Sequence, residues 1–157
     1  MIILEICDSK LCCYHDKQEN ISSLEPELSW SVEIDDILLI AEYTTNEGPY
    51  CDDYFLVFVT RSYIYQCTFY ANGTDMVIQT LSEMFNAPLQ LKLCNSTDWN
   101  SRVIWPVHLE GSEYFQFTKV KPDSLLSKTR KTLLGSQLEY KLAEPIQAFL
   151  KTGCSEN

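Results

Sequence analysis

An α+β fold built on an antiparallel β-sheet, a β-meander with one or more helices packed on one face, is predicted by three observations on these 157 residues. Residues 37–70 hold three apolar runs of strand length joined by short, turn-like connections. A helical stripe from Val77 to Phe85 follows directly, and residues 123–150 are patterned as helix without a repeating strand–helix–strand order. Hydrophobic residues at 45% and charged residues at 22% fit a packed globule. No repeat or Pro/Gly/Ser-rich linker divides the chain, so residues 1–157 are read as a single domain.

Each element has its own local reason. Ile2–Cys7 reads as a short strand, and Leu11–Glu27, polar and poorly periodic, as loop with a short helix. Ile37–Thr45 is apolar on both faces at its start, which places it centrally in a sheet. Asn46-Glu-Gly-Pro supplies turn chemistry before the second strand, Tyr54–Thr60, and Arg61-Ser62 leads into the third, Tyr63–Tyr70. Asn72-Gly73 ends this meander. Thr74 is then a suitable N-cap, and Val77, Ile78, Leu81, Met84 and Phe85 line one helical face until Asn86 and Pro88 stop it.

Leu89, Leu91 and Leu93 alternate with Gln90 and Lys92, the period of a half-buried strand. Arg102–Val107 and Glu113–Val120 read as two more strands about a turn at Gly111. Asp123–Leu134 and Gln137–Leu150 read as helices, the second kinked or restarted at Pro145. The core is expected to include Leu39, Phe55, Val57, Leu81 and Phe85.

Charge narrows the function classes. The chain carries −10 at neutral pH, and residues 1–60 hold 13 acidic residues against two basic ones, a local balance of −11. Such a surface repels nucleic acid and anionic membranes and steers a basic protein toward it. The apolar runs are too short to span a bilayer, and Met1-Ile-Ile-Leu-Glu-Ile lacks the basic and long apolar stretches of a leader. The seven cysteines are odd in number and irregularly spaced, which fits reduced thiols in a cytoplasmic protein.

Catalytic and metal constellations are weak. Cys7, Cys12, Cys13 and His15 lie within nine residues, but adjacent cysteines and a missing second knuckle do not suit tetrahedral zinc. His15 and His108 are the two histidines that a cysteine nucleophile would need, and no nucleophile turn accompanies either. Adjacent residues on a strand point to opposite faces, so neither the Asp35-Asp36 nor the Asp52-Asp53 doublet is expected to pair its carboxylates for hydrolysis or Mg²⁺ binding. No enzyme activity, cofactor or metal is therefore expected. The acidic residues make better sense as a recognition surface interleaved with aromatics: Glu33, Asp35, Asp36, Glu42, Tyr43, Glu47, Tyr50, Asp52 and Asp53.

A compact α+β chain with an acidic N-terminal third and the segment EIDDILLIAEYTTNEGPYCDDYFLVFV, from Glu33 to Val59, resembles the small acidic immunity proteins that protect bacteria against toxins of neighbouring cells. The resemblance implies a cytoplasmic inhibitor that occludes the basic active-site or substrate surface of a toxin effector domain. It carries no motif by which individual residues are assigned. Two other classes remain open: an intracellular adaptor using the sheet edge or the same acidic face, and a small enzyme with dispersed residues.

Overall fold

The structure, a computed structural model, describes residues 1–15, 29–46, 52–119 and 138–152. The fold is α+β with antiparallel sheets. Its centre is a four-stranded sheet of β4 (Leu39–Thr44), β5 (Tyr54–Val59), β6 (Ile64–Thr68) and β7 (Asn100–Trp105), ordered β6-β5-β4-β7. The predicted meander is thus present, with β4 and β6 one or two residues shorter at each end and β5 shorter only by Thr60. A three-stranded sheet of β1 (Ile2–Cys7), β2 (Lys10–His15) and β3 (Trp30–Glu33) precedes it in the chain. Helix α1 (Thr74–Met84) follows β6. The hairpin β8 (Phe115–Lys119) and β9 (Leu138–Leu142) then leads into α2 (Glu144–Thr152).

The central sheet is covered on both faces, which explains why β5 reads YFLVFV with hardly a polar residue. Alternate residues serve two different cores. Ile40, Leu56, Phe58 and Ile104 pack with Leu4, Leu11, Cys13 and Val32 of the first sheet and with Val77, Ile78 and Leu81 of α1. Leu39, Ala41, Val57, Val59 and Val103 face the other way, toward Tyr114, Ala143 and Ile146. The helices therefore lie on opposite faces of the sheet rather than together on one. No helix among the described residues is long and apolar enough to cross a membrane.

Several local expectations are corrected. Lys10–His15 is a strand, not the start of a loop, because Leu11 and Cys13 alternate inward and β1 offers full pairing from Ile2↔His15 to Cys7↔Lys10. Leu89, Leu91 and Leu93 form no strand; Leu89 is buried, but the backbone N–H groups of Lys92 and Leu93 bond to the Glu42 carboxylate instead of a ladder. The segment read as one helix from Gln137 is split, with β9 ending at Leu142 and α2 starting at Glu144, so that Pro145 sits harmlessly in the first turn. Thr74 is the first helical residue, not the cap, and Gly73 precedes it at φ +95°. Of the five expected core residues Leu39, Val57 and Leu81 are buried, whereas Phe55 and Phe85 are only half-buried. The expected helix at Asp123–Leu134 lies outside the described residues.

Gly73 has a specific reason to be glycine. The segment after β6 runs beside β1, with Leu4 N–H bonded to Asn72 O at 2.9 Å and Asn72 N–H to Ile2 O at 2.9 Å. A Cβ on Gly73 would overlap the carbonyl oxygen of Leu4, and the positive φ is itself hard for any other residue.

Candidate functional site

The candidate site is a cleft between the first sheet and the β5–β6 turn. One wall begins with Ile34, which is 1% exposed, and Ile37, 3% exposed. Their three-residue spacing closes a single 3₁₀ turn, with Ile37 N–H bonded to Ile34 O at 3.1 Å and Ile34 N–H to Ser9 O at 2.9 Å. That anchoring leaves Asp35 and Asp36 exposed between the two isoleucines. The strand argument that separated this doublet does not apply, since the residues are on a turn and both line the same cleft.

Beside them Glu33 takes a hydrogen bond from Ser9 Oγ at 2.9 Å and an ion pair from Lys10 Nζ at 3.0 Å. The Lys10 hydrogen bond, then that from Ser9, holds the Glu33 carboxyl below the usual carboxylate range, and the same contact pushes the Lys10 ammonium up.

The opposite wall is the β5–β6 turn. Thr60 N–H bonds to Tyr63 O at 2.9 Å, and Thr60 Oγ1 accepts from Tyr63 N–H at 3.1 Å, fixing the loop that carries Arg61 and Ser62. Tyr63 is 67% exposed, and its ring lies 6.2 Å from that of Tyr65. Tyr65 meets Trp30 at 5.2 Å, and Trp30 meets the buried Phe58 at 5.9 Å, so an aromatic row runs from core to surface. Trp30 Nε1–H also donates to Gln66 O at 3.0 Å, tying β3 to the outer edge of β6. The cleft between these walls encloses about 610 Å³ and is lined by Glu33, Asp35, Asp36, Arg61, Tyr63 and Tyr65 among others.

The remaining acidic residues are elsewhere. Asp52 is exposed and Asp53 half-buried at the far end of β5, a strand length or about 20 Å from the cleft. Asp53 accepts a hydrogen bond from Tyr70 Oη at 2.8 Å. Tyr43 is half-buried, stacked on Phe55 at 5.0 Å and edge-on to Phe115 at 5.4 Å. Glu47 and Tyr50 lie outside the described residues. The nine residues proposed from sequence therefore form no single rim. The structure brings Glu33, Asp35 and Asp36 together, and adds Tyr63, Tyr65 and Arg61 from across the chain.

Glu42 is a correction. It is 0% exposed and so is unavailable to a partner. Its carboxylate accepts from Arg102 Nη1 at 2.9 Å, from Lys92 N–H at 2.9 Å and from the Tyr54 hydroxyl. Arg102 also donates to Gln90 O at 2.8 Å and to Glu110 at 3.1 Å. A buried carboxylate needs such partners, and together they bind residues 90–93 to the sheet. A signal for this pair was present: Glu42 and Arg102 are the lone charges of two apolar runs.

Among the described residues no three His, Cys, Asp or Glu groups converge to hold a metal ion. Cys12 and Cys13, as neighbours on β2, point to opposite faces. His108 is exposed with its ring 5.5 Å from Phe149. Cys7, Cys12, Cys13, Cys67 and Cys94 are free thiols.

Fold and cleft together define an α+β protein with an open groove in which Glu33, Asp35 and Asp36 face Lys10, Arg61 and two tyrosines. Comparison with protein-family models, with curated proteins and with solved structures found no match for this chain.

Proposed function

We propose that this protein works by stoichiometric binding, not catalysis, and that it receives a basic segment of a protein partner in the cleft between β3 and the β5–β6 turn. The observation that carries the reading is the meeting of Asp35 and Asp36 with Tyr63 and Tyr65 across one open groove. Carboxylates beside an aromatic face suit a Lys or Arg side chain, which pairs with the first and stacks on the second. Arg61 on the same groove adds a donor for a partner carboxylate or backbone carbonyl.

The class of partner is a toxin effector domain with a basic active-site or substrate surface, and the protein is its cytoplasmic immunity protein. The resemblance of the chain to small acidic immunity proteins supports this, as does the −11 balance of residues 1–60, which steers a basic domain from a distance.

The test is association kinetics with a panel of basic effector domains at low and high salt. The proteins compared are wild type, an Asp35→Asn, Asp36→Asn variant and an Asp52→Asn, Asp53→Asn variant. Association should slow as salt shortens screening toward about 8 Å, and the Asp35, Asp36 variant should lose more rate than the other. Equal rates for all three proteins at both salt concentrations reject the cleft as the recognition surface. Turnover of a substrate by the isolated chain rejects the binding-only reading.

A further inference from the structure

Behind the cleft two cysteines from different sheets meet. Cys13 of β2 and Cys67 of β6 are 54 residues apart in sequence, and their sulfurs are 3.4 Å apart. Each is 4% exposed. Their approach is fixed on both sides: Cys13 is paired across the ladder with Trp30, and the Trp30 indole bonds the carbonyl of Gln66, next to Cys67. Cys67 itself bonds through its thiol to Thr68 O at 3.4 Å.

We propose that Cys13 and Cys67 are a peroxide-responsive dithiol that closes to a disulfide between β2 and β6. To form it the sulfurs draw in from 3.4 Å to the bond length of about 2.05 Å. The Cys13 thiolate attacks one oxygen of hydrogen peroxide, the O–O bond breaks, and the departing hydroxide takes up a proton to leave as water. Cys13 is then a sulfenic acid. The Cys67 sulfur displaces its oxygen, which leaves as a second water carrying the Cys67 proton. Two thiols and one peroxide thus become one disulfide and two waters.

The electrostatics of the pair favour this order. In the neutral pair the Cys13 thiol donates to Cys67 Sγ, whose own proton goes to Thr68 O. Once Cys13 ionises that proton turns to it, which holds Cys13 below the ordinary thiol range, while the same contact and burial push Cys67 above it. Cys7, although exposed, is the poorer nucleophile, because its hydrogen bond to Glu5 at 3.2 Å pushes it up to about 11.

The bond would tie together the two elements that carry the walls of the cleft, Lys10 on β2 and Tyr65 on β6, and so set its width. That consequence rests on the binding role proposed for the cleft; the thiol chemistry does not.

The experiment exposes the native, reduced chain to hydrogen peroxide, blocks remaining thiols with an alkylating agent and maps tryptic peptides by mass. The expected product links Leu11–Lys17 to Ser62–Lys92 with the loss of two hydrogens, and fragmentation places the link at Cys13. The melting midpoint should rise by about 5–15 °C and return on adding dithiothreitol. In a Cys67→Ser variant, whose hydroxyl can still donate to Cys13 but cannot form the bond, Cys13 should stop at the sulfenic acid and be trapped by dimedone. The proposal is overturned if Cys7 or Cys94 oxidises while Cys13 and Cys67 both remain alkylatable after unfolding, or if the link forms at Cys12. A correct link that leaves partner association unchanged keeps the dithiol and rejects only its effect on the cleft.

Discussion

Arg102 places Nη1 2.9 Å from Oε1 of Glu42, and the carboxylate it meets is wholly removed from solvent. Neighbouring strands supply the two charges, with Glu42 of β4 paired directly to Arg102 of β7. Removing the cation alone strands a charge in the interior. Arg102→Met should therefore cost about 3–5 kcal/mol in denaturant unfolding. Adding Glu42→Gln to that variant should restore part of the loss, since the uncharged amide no longer needs the guanidinium. A loss below about 1 kcal/mol for the single variant would show that the pair is not what holds residues 90–93 in place.

Gly73 and Gly111 make a controlled comparison. Both have positive φ, at +95° and +83°, but only at Gly73 does an added Cβ strike backbone. Gly111→Ala should cost about 1–2 kcal/mol from the left-handed conformation alone. Gly73→Ala should cost clearly more, because the Leu4 carbonyl belongs to a paired strand and has little room to retreat. Equal losses in unfolding experiments would mean that β1 yields easily.

Core truncations should rank by burial rather than by residue type. Phe58 is 0% exposed, so Phe58→Ala should cost about 3–5 kcal/mol. Phe85 is half-buried against Trp105, with rings 4.5 Å apart, and Phe85→Ala should lose less. Unfolding midpoints at a common denaturant slope decide the order, and a reversed ranking counts against the packing described.

Alkaline titration should separate the phenols. Glu5 hydrogen-bonds Tyr14 and pushes it up to about 12, and burial pushes Tyr54 and Tyr114 higher still, Tyr54 further by its bond to Glu42. All three are raised in the fold, so their stabilising effect is complete below the unfolded phenol value of about 10 and is lost as pH rises through the folded values. Phenolate absorbance from Tyr54, read as the difference between wild type and Tyr54→Phe, should appear only as the circular dichroism signal collapses. A phenolate at Tyr54 near pH of about 10 in the folded chain would contradict this.

Legibility in the sequence followed how local the cause was. The meander was readable because alternation and short turns act within ten residues, and because β5, apolar throughout, declares itself buried on both faces. Leu138, Leu142, Ile146, Phe149 and Leu150 also fit one helical stripe, yet Leu138–Leu142 pairs with β8, a contact that no spacing within the segment reveals. Leu89, Leu91 and Leu93 alternated like a strand, but a carboxylate some fifty residues away took the backbone donors. The cleft was half legible: the carboxylates of Glu33, Asp35 and Asp36 were visible, while Tyr63 and Tyr65 reach them only because β5 returns antiparallel to β4.

The bond from the Trp30 indole to the Gln66 carbonyl has a bearing on how copies of this protein meet one another. Among the described residues strand β6 ends the central sheet, and its outer edge carries backbone groups that an incoming chain would use to extend it. With Gln66 O already taken at 3.0 Å, a foreign strand must first evict an aromatic side chain packed on Phe58 and Tyr65. The exposed Ile64 beside it would otherwise invite such pairing. By occupying one acceptor of that edge, Trp30 makes it a poorer template for a further strand.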